Sequence, residues 1–249
     1  MPNKKLIAVV AFAFAALACS SDSTAPVSAD AVLNADVATI AGETTAEDAE
    51  LMQAPGGGAF GMGLVFNGAR WDCTRELPLH LTVDRSCVFK DAQGNVQTAY
   101  DPNTTASVNI SVTIDGSIDR DHLSATIHRT HELVVTGLAG AETQRTWNGT
   151  GSGTLSAVHE RSDGSTRSYN VSSTSTITNV VIPVPRTLTS WPLSGSIHRV
   201  ITLTKADGSS VTREVTITFN GTQHVSVNVN GEIYDFDLAL RRHASRHRG

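Results

Sequence analysis

From Gly61 onward apolar and polar residues alternate with a period of two, as in Val108-x-Ile110-x-Val112-x-Ile114 and Val225-x-Val227-x-Val229. A strand with one buried and one wet face produces this pattern. Asp115-Gly116, Asn148-Gly149, Asp163-Gly164, Asp207-Gly208, Asn220-Gly221 and Asn230-Gly231 punctuate the alternation at hairpin spacing. Asn-Gly and Asp-Gly supply the positive φ that tight hairpin turns demand, so the chain reads as an antiparallel meander. The C-terminus is the clearest stretch, with consecutive strands expected near Ile197 to Lys205, Val211 to Phe219, Thr222 to Val229 and Glu232 to Leu240. About a dozen strands fit the all-β domain of residues 59–240, as a barrel or a two-layer sandwich. An internal repeat underlies it, over about 123–180 and 193–240. Ser124-Ala125-Thr126-Ile127-His128-Arg129 matches Ser194-Gly195-Ser196-Ile197-His198-Arg199, and Thr146-Trp147-Asn148-Gly149-Thr150 matches Thr218-Phe219-Asn220-Gly221-Thr222. The prolines of Val181-Ile182-Pro183-Val184-Pro185 forbid a central strand and mark an edge or a link between the two units.

Before residue 59 the pattern differs. Thr44-Thr45-Ala46-Glu47 offers a capping box, and a short helix is expected near 45–53, stopped by Pro55 and Gly56-Gly57-Gly58. It docks through Leu51 and Met52 or forms transiently. The rest of residues 19–58 reads as an acidic, flexible leader. At the very start, Lys4 and Lys5 precede an uncharged apolar run from Leu6 to Ala18, the n-region and h-region of a signal peptide over residues 1–18. The run is shorter than the ~20 residues a spanning helix needs.

Ala16-Leu17-Ala18-Cys19 resembles the lipobox of bacterial lipoproteins, with Leu17 one place later than that pattern has it. The resemblance implies cleavage after Ala18 and acylation of Cys19. Together with the polar stretch Ser20 to Pro26, the layout resembles lipoproteins of Gram-negative bacteria, which covers about a quarter of the chain. It implies an exported protein held by its lipid at a membrane, the outer before the inner, facing the periplasm or the surface. Three cysteines fit this, since Cys73 and Cys87 are spaced for a local disulfide and leave Cys19 over.

Aromatic residues make up 5% of the chain, too few for the girdles of a membrane-spanning barrel. Ser20 to Ala69 holds seven acids and no Lys or Arg, whereas the tail 241–249 carries four Arg. Arg70 to Leu240 has 13 basic against 17 acidic residues, which excludes a nucleic-acid surface. The basic tail reads as a solvated terminus, or as a contact for anionic lipid, polysaccharide or the acidic leader.

No catalytic constellation stands out. His128 and His131 are three apart and fall on opposite faces of a strand, so they do not share a metal. His128 and His198 hold equivalent repeat positions, which points to structure. Gly149-Thr150-Gly151-Ser152-Gly153-Thr154 lacks the Lys of a phosphate loop and reads as a strand entry or bulge. Asp235 and Asp237 share a face of the last strand, a pairing a glycosidase could use. No catalytic residue, metal ligand or cofactor site is assigned. The expectation is a non-enzymatic envelope protein binding a partner protein or polysaccharide. The alternatives are a carrier of a hydrophobic ligand in a β cavity, and a hydrolase should Ser, His and Asp converge in a cleft.

Metabolic labelling with a fatty-acid probe should mark the wild-type chain and not Cys19→Ala, and a peptide map without reductant should contain a Cys73–Cys87 cross-link. Equal labelling of both chains would leave a secreted protein without a lipid anchor.

Overall fold

A computed structural model describes residues 29–53, 65–66, 71–72, 81–120, 123–160, 166–185, 187 and 190–239. Among the described residues a long helix, α1 (Ala29–Gln53), precedes twelve strands. Strands β1 (Val65–Phe66) and β2 (Trp71–Asp72) pair with each other. The other ten form one antiparallel sheet: β3 (Leu81–Asp91), β4 (Val96–Gln97), β5 (Thr105–Arg120), β6 (Leu123–Thr136), β7 (Gln144–Glu160), β8 (Thr166–Pro183), β9 (Ser194–Lys205), β10 (Ser210–Thr218), β11 (His224–Val229) and β12 (Glu232–Asp237). Their order, β12-β11-β10-β9-β8-β7-β6-β5-β3-β4, is a meander in which nearly every strand pairs with its chain neighbour. Among the described residues the sheet is open, with β12 and β4 at its ends.

Alternation decides the two faces. Inward positions carry the core: Val108, Ile110 and Val112 on β5, Leu133 and Val135 on β6, Ile197, Ile201 and Leu203 on β9, and Val225, Val227 and Val229 on β11, all nearly inaccessible. Successive side chains point to opposite sides of a strand, so every second residue meets this layer. The fully buried Trp147 of β7 pairs across with Val135 and Val180.

The C-terminal hairpins lie close to where the alternation places them. Asn230 and Gly231 have φ of 49° and 95°. A two-residue loop with both φ positive matches the right-handed twist of its strands, and it joins Val229 to Glu232. Two other turn signals are overridden. Gly116 lies inside β5, paired with both Leu81 and Ile127, and Asn148-Gly149 lies inside β7 where the register shifts between Trp147 and Gly149. Central strands of 14 to 18 residues run through these dipeptides because strands on both sides hold them extended. The link after Pro183 joins two strands of the same sheet, since β8 pairs with β9 along most of its length.

The helix also differs from its sequence signal. It begins at Ala29, and Thr44 is no cap: its hydroxyl donates to the carbonyls of Ile40 at 2.9 Å and Ala41 at 3.1 Å within the helix. Leu33, Val37, Ala41, Thr45, Asp48 and Met52 recur every three or four residues and are buried. Such a stripe is what a helix lays on a sheet. The stripe lies on the inner face, against β9 to β12. Gly42 lets the Phe236 ring lie directly on the helix backbone, where a Cβ would collide with the ring. No helix among the described residues is long and apolar enough to cross a membrane.

Candidate functional site

The inner face is apolar at both ends and polar across its middle. Strand register sets Val112, His131, Gly151, Ser175, Arg199 and Val215 side by side in one row. The adjacent inward row is Ile114, Arg129, Gly153, Ser173, Ile201 and Arg213. Apolar rows flank this belt, with Leu133, Ile177, Ile197 and Ile217 on one side and Leu155, Val171 and Leu203 on the other. Buried cations need a partner, because taking an unpaired charge out of water costs far more than burying an apolar group gains.

The helix supplies the partners. Asp48, 2% exposed, accepts a short hydrogen bond from Arg199 Nη2, and its other oxygen lies 3.9 Å from His131 Nε2. Arg199 and His131 are each 4% exposed. Nearer the helix start, Arg213 donates to Asn34 at 2.7 Å and to Asp30 at 3.1 Å. Asn34 in turn donates to Glu232 at 3.1 Å, and the Tyr169 hydroxyl donates to Asp36 at 2.9 Å. The hydrogen bond from Asn34, with the nearby Tyr234 hydroxyl second, holds the Glu232 carboxyl below its usual range. Burial, with the bond to Glu232 second, pushes the Tyr234 hydroxyl up to about 12. The acids of the leader thus meet arginines of the sheet, while the basic tail 241–249 lies outside the described residues.

A small cavity opens beside the Asp48–Arg199 contact. It has about 20 Å³ of room for water centres and is bounded by Ile40 and Thr44 of the helix and by Arg129, His131, Ser175 and Arg199 of the sheet. A single water needs ~10–15 Å³ of such room, so the space suits one or two waters. Gly153 lines it, and Gly151 next to it lets His131 and Ser175 close over β7. A Cβ at Gly151 would lie 2.7 Å from His131 Nδ1 and 2.8 Å from Ser175 Oγ, and one at Gly153 would lie 3.0 Å from Arg129 Cγ. The glycines of Gly149 to Gly153 therefore sit inside β7, and two of them clear space for polar side chains of neighbouring strands.

Ser175, His131 and Asp48 converge here, the arrangement a hydrolase would require. The Asp48 carboxylate is however committed to the Arg199 guanidinium, and α1 covers the group. Among the described residues no three His, Cys, Asp or Glu side chains are grouped to hold a metal. His128 faces outward, opposite to His131, with its Nδ1 2.5 Å from Asp115. His198 faces outward as well, 4.0 Å from Glu214. Asp235 is exposed and lies 3.1 Å from His224 Nδ1, while Asp237 accepts from the Ala239 amide at 2.7 Å, so these two acids serve different neighbours. Cys87 is half-buried in β3, and Cys19 and Cys73 lie outside the described residues.

The alternation carried an unused signal for the belt. In Ile197-x-Arg199-x-Ile201 and Ile127-x-Arg129-x-His131-x-Leu133, charged side chains occupy the parity of the buried face. An inward Arg demands an inward acid, and none stands on that parity of β5 to β9. The acid comes from α1.

Arg199→Met should leave Asp48 buried without its main cation and lower stability by about 3–5 kcal/mol in urea denaturation, whereas Asp48→Leu/Arg199→Met should recover most of the loss. A single-variant loss under about 1 kcal/mol would mean that the pair is solvated. No protein-family model, curated protein or solved structure matches the chain, so its function has to be argued from these faces and their chemistry.

Proposed function

We propose that the chain is an exported, lipid-anchored envelope protein, non-enzymatic, whose outward sheet face binds a polysaccharide. The observation that carries the reading is the composition of that face. On β6 to β10 the outward residues are mostly Ser, Thr and Asn, interrupted by Val134, Val158 and Val200, and are set in cross-strand rows such as Thr126, Ser156, Asn170, Thr204 and Ser210, or Thr154, Ser172, Thr202 and Thr212. Among the described outward side chains the ionisable ones are His128, Glu132, His198 and Glu214, with no Lys, Arg or aromatic residue beside them.

Each hydroxyl both donates and accepts, and neighbouring strands repeat them every ~4.8 Å. A polyhydroxylated chain meets such a grid with matched donors and acceptors. A protein partner is less well served, because protein interfaces gain most of their affinity from buried aromatic and Arg anchors, which this face lacks. The anchor at Cys19 and the signal peptide over residues 1–18 belong to the same proposal, supported by the Lys-rich start, the apolar run and the polar stretch after Cys19. That Cys87 is disulfide-bonded supports its pairing with Cys73 and an oxidising compartment. The place where Ser175, His131 and Asp48 meet is covered by α1, which supports a binding role over catalysis.

Mature protein applied to an array of immobilised bacterial envelope glycans should bind at least one of them, and Thr174→Lys/Thr202→Lys should weaken that binding at least tenfold with an unchanged melting temperature. Binding that survives both substitutions, or no binding to any glycan, would contradict the assignment.

A further inference from the structure

The duplicated Ile-His-Arg block leaves one feature that the outward face does not use. Both copies turn their histidine outward and their arginine inward, and register brings Arg129 and Arg199 to the same cavity. We propose that this cavity is a carboxylate-binding site for a long-chain amphiphile, a fatty acid in chemical class, and that Asp48 of α1 occupies it in cis. The proposal is independent of the glycan-binding reading.

Arg199 is almost fully buried, yet only Nη2 is engaged by Asp48. Its Nε has no hydrogen-bond partner among the described residues and the side chain lines the cavity. A donor left over after Asp48 has bound is suited to a second oxygen, because guanidinium and carboxylate pair best through two parallel bonds. Gly153 lines the cavity with Arg199 and carries no side chain, and at Gly151 a Cβ would push against His131 and Ser175, two further residues of the lining.

The surroundings fit an alkyl chain. Apolar rows run along the sheet on both sides of the belt, and the surface α1 lays on them includes Ala38, Ala41, Ala46 and Ala49, which bury little area each. The helix thereby presents one carboxylate on a thin apolar stripe, which is the chemistry of a fatty acid. With Asp48 in place the cavity holds no more than one or two waters. A ligand carboxylate must therefore replace that of Asp48, and the helix has to lift from the inner face to admit the chain.

The test uses the mature full chain and laurate below its micellar concentration, read by displacement of a fluorescent fatty acid. Wild type should bind weakly, because Asp48 competes. Asp48→Asn, which keeps the shape and removes the charge, should bind at least tenfold more tightly, and Asp48→Asn/Arg199→Met should lose that gain. Equal affinity of Asp48→Asn and wild type, or affinity kept when Arg199 is removed, overturns the proposal. Circular dichroism melts establish that the variants are folded. In the wild-type chain, where no substitution intervenes, saturating laurate should speed amide exchange between Leu33 and Met52; displacement of the probe without that change also overturns it.

Discussion

A carboxylate set among the core residues of a sheet tolerates few positions, and the Asp48 contact with Arg199 fixes where α1 lies. Desolvating both charges costs several kcal/mol each, which only close pairing and further hydrogen bonds repay. Sliding the helix by one residue would rotate Asp48 by about 100° and part it from Arg199. Leu33, Val37, Ala41 and Met52 then supply burial without deciding register, since small apolar residues pack in several alignments. Gly151 and Ser175 between His131 and Arg199 belong to the same constraint, because a larger inward residue in that row would close the space that the polar groups share.

The sheet then divides its labour by parity. Odd-numbered residues of β6 and β9 build the inner layer, and even-numbered ones build a largely hydroxyl face toward solvent. A helix on one face frees the other for a partner, and an antiparallel sheet can keep such a wet face indefinitely. Under the proposed anchor, Ala29 stands ten residue steps after Cys19, a reach of at most about 35 Å at ~3.3–3.6 Å per residue.

Legibility followed locality. Asn230-Gly231 and the alternation of Val225 to Val229 are decided by residues two apart, and the C-terminal hairpins could be drawn from sequence to within a few residues. Asp115-Gly116 has the same local signal, yet it lies within a strand because β3 and β6 hold it from both sides. The helix was visible only in its second half. Ala29 to Ala41 carries no capping box, and its stripe of Leu33, Val37 and Ala41 gains meaning only against the sheet. The site was less legible still. Asp48 and Arg199 stand 151 residues apart, and the inward parity of Arg129, His131 and Arg199 signals a need for an acid without naming it. The glycine-rich stretch of β7 reads as a strand entry or bulge from sequence, whereas the extra residue at the register shift opposite Asn148 stands in β8, and the role of Gly151 depends on side chains two strands apart.

That α1 is an integral layer of the fold and not a loose leader is the claim on which the rest stands. Native-state amide exchange of the mature chain tests it directly. The account predicts that amides from Val37 to Met52 exchange as slowly as those of β9 and β10, in one cooperative unit with the sheet. Exchange of that segment at the rate of an unstructured chain, while the sheet stays protected, would contradict it.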